Sequence, residues 1–174
     1  QSEEVFRSYL KNMMRICKKE MNFFFMEGRF DHPDGGKTWY PKPLVVKDIG
    51  NIEYTPGLVG DTLDLVHEFI IANDIAVLLG FSQGGNVIDA YLNYKHPENG
   101  PITKAVILSG YELVDKNRKN ISIPLLNLFS QIDDVVLPEF KPLHYDDIKE
   151  IEHDKGHKIP PSAYIRMIKD FIVV

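Results

Sequence analysis

Cysteine and tryptophan each occur once in this sequence, and neither an excess of positive charge nor a long apolar run appears in it. A single Cys17 excludes an internal disulfide framework and a cysteine-built metal site, and points to a reducing, cytoplasmic compartment. Twenty Lys and Arg against twenty-five Asp and Glu leave a formal charge of −5 with no basic patch, so a nucleic-acid partner has no electrostatic support. The longest apolar run, Ile75 to Leu79 continued through Gly80 and Phe81, is far shorter than the ~20 residues of a membrane-spanning helix. No transmembrane segment is expected. Residues 1–20 are charged and amphipathic, unlike the apolar core of a secretory leader.

What is present reads as one folded domain over 1–174. A length of 174 residues leaves no room for a second catalytic module, and 44% apolar content supports a sizeable core. Phe6, Leu10, Met13, Met14 and Cys17 recur at helical spacing between Glu3 and Glu20, which makes Cys17 a core residue before it is a nucleophile. Met21 to Met26 has the length and composition of a strand buried on both faces. Residues 28–56 then lose periodicity and carry Pro33, Pro41, Pro43, Pro56 and the Gly35-Gly36 pair, as a lid or substrate-binding segment does. A helix follows from Pro56 or Asp61, with His67 as a satisfied helix histidine. Strands are expected at Ile75–Leu79, Ala105–Ser109, Ile123–Phe129 and, more weakly, Ile148–Glu152, and a last helix from Pro160-Pro161. Buried strands alternating with helices argue for a mostly parallel sheet with helices on both faces, whose ligands bind beyond the carboxyl ends of the strands.

Chemistry gathers at those ends. Gly80-x-Ser82-x-Gly84 sits between a strand and a helix, the context of a nucleophile elbow: small flanking residues let the chain turn sharply and lift a hydroxyl off the sheet. The helix behind it offers the Gln83 amide to an oxyanion. A serine needs a base and an orienting carboxylate. Asp133 follows the strand ending at Phe129, and His157 follows the one ending at Glu152. Asp134 competes with Asp133, and His153 with His157; Asp133 and His157 are the favoured pair. Trp39 and Tyr40 are either an acyl-pocket wall or packing beneath a loop.

Gly80-Phe81-Ser82-Gln83-Gly84-Gly85, Leu108-Ser109-Gly110-Tyr111, the Asp133 turn and the stretch Glu152 to Pro160 together resemble the fungal and animal family of serine hydrolases, esterases of the α/β-hydrolase fold. The likeness extends to the opening Gln1 to Phe6 and to Trp39-Tyr40, so it spans nearly the whole chain. It implies a Ser82, Asp133, His157 triad hydrolysing small-molecule carboxylic esters without metal or organic cofactor. It also implies a first, central strand ending in His-Gly-aromatic between the Met21–Met26 and Ile75–Leu79 strands. No such strand stands before Gln1, so the expectation is a longer native chain with roughly ten more N-terminal residues. Glu27-Gly28 replaces an Ala-Pro common in the family. Two other readings stand beside the esterase: an acyl-protein thioesterase or lysophospholipase-type hydrolase, whose elbow is similar, and a non-catalytic binding domain on the same fold.

Overall fold

The computed structural model describes residues 3–32, 35–40, 56–115, 117–159 and 162–174. The N-terminal amphipathic stretch forms two short helices, α1 (Glu3–Tyr9) and α2 (Lys11–Cys17), in place of one. Leu10 joins them with only a local bend, because Leu10 N still donates to Phe6 O at 3.1 Å and Met14 N to Leu10 O at 2.9 Å. A small antiparallel hairpin follows, β1 (Phe30–Asp31) and β2 (Lys37–Thr38). Helix α3 (Pro56–Ala72), strand β3 (Val77–Phe81), helix α4 (Gln83–Tyr94), strands β4 (Lys104–Leu108), β5 (Leu125–Phe129) and β6 (Ile148–Glu152), and helix α5 (Ile165–Val173) complete the order.

Strands β3, β4, β5 and β6 form one parallel sheet in that order. Its two faces bury different residues of the same strands, as the two-residue period of a strand dictates. Ala105, Ile107 and Leu125 pack with Val59, Leu63, Ile70, Val87 and Tyr91 from α3 and α4. Val106, Leu108, Leu126 and Leu128 pack on the opposite side with Met13, Cys17, Ile165 and Ile168 from α2 and α5. Cys17 is fully buried there, and burial raises its thiol pKa, so it is part of the core.

Two expected strands shift at their edges, and a third is not a strand. The strand expected at Ile75–Leu79 runs from Val77 to Phe81, because Ile75 N donates to Ile70 O at 3.1 Å and closes the end of α3. The strand expected from Ile123 begins at Leu125; Pro124 lies just outside it and contributes only a carbonyl, accepting from Ala105 N at 3.0 Å. Met21–Met26 is not a strand. Phe24 is half exposed while Phe23 and Phe25 lean on the α2–α5 core, and among the described residues no strand pairs with this stretch. It is separated from β3, the sheet's outer strand, by a cavity of ≈ 990 Å³ that both segments line. Residues 41–55 of the anticipated lid and the Pro160-Pro161 helix start lie outside the described residues.

Candidate active site

Ser82 stands between β3 and α4 with φ 54° and ψ −121°, a left-handed conformation that a non-glycine residue adopts only when its surroundings enforce it. Two contacts enforce it here. Ser82 N donates to Leu108 O at 2.9 Å across the end of β4, and Asn86 N donates to Ser82 O at 3.1 Å, starting the helix. The turn is so close that a Cβ on Gly80 would lie 2.5 Å from the carbonyl oxygen of Gly84. The side chain of Ser82 therefore points off the sheet, at the N-terminus of α4, where the first backbone N–H groups have no intrahelical partner.

Asp133 and His157 leave the ends of β5 and β6 on loops that are tied to each other. The Ser130 hydroxyl accepts from Ile132 N at 3.4 Å and from Gly156 N at 3.2 Å, joining the aspartate turn to the histidine turn. Asp133 is buried; its Oδ1 accepts from Val135 N at 2.9 Å and Val136 N at 2.8 Å, which leaves Oδ2 to the imidazole. His157 Nδ1 lies 2.9 Å from Asp133 Oδ2, and His157 Nε2 lies 3.0 Å from Ser82 Oγ. The imidazole also packs on Phe81, ring centroids 4.9 Å apart at 36°. With Nδ1 protonated and donating to the carboxylate, Nε2 is left with a lone pair facing the serine hydroxyl.

The competing residues sit elsewhere. Asp134 is exposed. His153 is buried below the rim, its Nδ1 accepting from Lys155 N at 3.3 Å and its ring 6.1 Å from that of Tyr164; burial lowers its pKa. His67 Nδ1 meets the Tyr91 hydroxyl at 3.0 Å, as a satisfied helix histidine does. Trp39 lines the cavity together with Ser82, Gln83 and His157. Tyr40 turns inward, fully buried, its hydroxyl donating to Asn86 Oδ1 at 2.7 Å.

Sequence reasoning passed over Phe81, Ser130 and the side chains of Gln83 and Asn86. Phe81 was within reach, since the residue preceding an elbow serine is at the sheet's rim. Ser130 was not, because its partners are two and twenty-six residues away. Among the described residues no group of three or more His, Cys, Asp or Glu side chains could hold a metal ion, and no helix is long and apolar enough to cross a membrane.

Solved structures share this architecture. A carboxylesterase from Mesorhizobium loti superposes with a TM-score of 0.71 at 14% identity, over 95% of this chain and 82% of its own. A carboxylesterase from Bacillus cereus gives 0.68 at 11% identity, over 98% and 82%. SOBER1 of Arabidopsis thaliana gives 0.68 at 16% identity, over 99% and 93%. A search of curated proteins returned no match. At these identities the likeness is one of fold, and the fold is that of the α/β-hydrolases. The profile of the family described as Serine hydrolase (FSH1) matches residues 1–168, so the chain belongs to that family of serine hydrolases.

Proposed function

We propose that the protein hydrolyses carboxylic esters of small molecules through an acyl-enzyme, with Ser82 as nucleophile, His157 as general base and acid, and Asp133 as the group that orients the imidazole. The observation that carries this reading is the pair of contacts at 3.0 Å and 2.9 Å linking Ser82 Oγ, His157 and Asp133. Ser82 Oγ attacks the ester carbonyl as its proton passes to His157 Nε2. Negative charge collects on the carbonyl oxygen, where the Gln83 backbone N–H at the head of α4 stabilises it. The alcohol departs with the proton from Nε2, leaving the acyl group on Ser82. Water then attacks the acyl carbon and gives one proton to Nε2, which passes it to Ser82 Oγ as the acid is released. The serine proton leaves in the alcohol and one from water replaces it, so the cycle consumes ester and water and closes on side chains of this chain alone.

The test is covalent labelling by a fluorophosphonate probe. The native chain is expected to label and Ser82→Ala to remain unlabelled; labelling that survives Ser82→Ala, or none in the native protein, rejects the reading. Parallel alkyl ester and acyl thioester series distinguish an esterase from a thioesterase.

A further inference from the structure

Trp39 is the sole tryptophan of the chain, and the way it is held is unusual for a residue in a wall of aperiodic sequence. The Gln83 side-chain carbonyl, Oε1, accepts two hydrogen bonds from the neighbouring segment: Thr38 Oγ1 donates at 2.6 Å and Trp39 N at 2.9 Å. The Trp39 carbonyl in turn accepts from Thr62 Oγ1 on α3 at 2.8 Å. One residue further, the Tyr40 hydroxyl donates to Asn86 Oδ1, and Asn86 Nδ2 donates to Tyr111 O at 3.0 Å. On the other side the Thr38 carbonyl presses on Gly28, where a Cβ would lie 2.3 Å from it. Residues 38–40 are therefore clamped between Gly28 and the first turn of α4, and the clamp's central acceptor belongs to the residue next to Ser82.

We propose that the Gln83 side chain is a positioning residue that fixes the Trp39 indole as a specificity wall of the ester site, separate from the backbone amide of the same residue. Trp39 and Gln83 both line the cavity reached by Ser82 and His157, and the indole Nε1 lies 3.8 Å from where a Cβ on Gly84 would stand. Of the two aromatic rings in residues 35–40 only the Trp39 indole lines that cavity, since Tyr40 is turned into the core. An amide suits this task better than a carboxylate. Both accept two hydrogen bonds, but a carboxylate beside Ser82 would oppose the negative charge that forms on the substrate oxygen.

The consequence for substrate choice rests on the hydrolase reading; the clamp itself does not, and the experiment separates them. Emission of the single tryptophan and its quenching by acrylamide are measured in Gln83→Ala, Gln83→Glu and Thr38→Val, with circular dichroism as a check on folding. Gln83→Ala keeps the backbone amide and removes both bonds, so a red-shifted emission and stronger quenching are expected. Gln83→Glu keeps both bonds and is expected to retain the native emission while p-nitrophenyl acetate turnover falls. Thr38→Val removes one donor without changing the volume of the side chain and is expected to lie between. In Gln83→Ala the ratio of kcat/KM between p-nitrophenyl butanoate and acetate is expected to change about fivefold, the size of one neutral hydrogen bond's worth of positioning. Native emission and quenching in Gln83→Ala overturn the proposal; if that variant does not fold, native values in Thr38→Val overturn it. A shifted emission with an unchanged ester ratio overturns the specificity role alone. A native chain that fails to label with the fluorophosphonate probe, while the emission shifts as expected, leaves the clamp standing and removes the hydrolase reading.

Discussion

At the scale of single residues, the geometry separates near neighbours in sequence that share a chemistry. Asp133 and Asp134 differ by one position, yet one is buried against His157 and the other is exposed. Asp133→Asn is expected to lower ester turnover by about 10⁴-fold, because the amide favours the wrong imidazole tautomer, while Asp134→Asn leaves turnover close to native. Steady-state rates on one p-nitrophenyl ester are sufficient to compare them. The Phe81 ring supports the same imidazole from its flat side. Its replacement in Phe81→Leu keeps an apolar volume but removes the aromatic contact, and the labelling rate is expected to fall about 3- to 10-fold, in line with the ~0.5–1.5 kcal/mol of such pairs. A rate unchanged in Phe81→Leu would show that the loop alone orients the histidine.

At the scale of elements, what could be read from the sequence depended on whether a signal was local. The elbow was legible because strand, turn and helix are contiguous and Gly80 faces its own helix within four residues. The four sheet strands were legible as apolar runs, with ends misjudged by one or two residues where helix closure or Pro124 decided the boundary. Met21–Met26 was misread because an apolar run fits a strand only if a neighbour pairs with it, and pairing is not a property of the run. The Gln83 and Asn86 clamps were illegible for a related reason: their partners are 44 to 46 residues away. The elements also differ in what they tolerate. Leu126 on β5 is fully buried in the α2–α5 core, so Leu126→Ala is expected to cost about 2–5 kcal/mol in denaturant unfolding.

At the scale of the whole molecule, stability responds to buried ionisable groups distant from the site. Asp89 on α4 is completely buried and is gripped by Arg118 through two contacts at 2.8 Å and 2.7 Å, with the Tyr145 hydroxyl donating at 3.1 Å. Burial pushes the carboxyl pKa up and the guanidinium opposes it. Arg118→Met strands that carboxyl and is expected to cost about 3–5 kcal/mol, with much of it restored when Asp89→Asn is added. Burial also lowers the pKa of His153 and His96. In the unfolded chain these rings take up protons first as the pH falls through about 6.5, so stability is complete above that point and declines below it. Lysine partners lower the pKa of exposed carboxylates such as Asp31 and Glu20, which moves their titration away from that window. Denaturation midpoints at pH 7.5 and 5.5 are expected to differ less in His153→Gln than in the native chain.

The loops at the rim do not begin freely. Ser82 N binds Leu108 O, Ser109 N binds Leu128 O at 2.8 Å, and His153 N binds Phe129 O at 2.9 Å, so the sheet's ladder continues past the ends of β3, β4 and β6. The candidate site is thus expected to have no melting transition of its own. Heated slowly, the protein should lose probe reactivity and far-ultraviolet ellipticity over one shared interval, with no stage at which an intact sheet carries a dismantled centre.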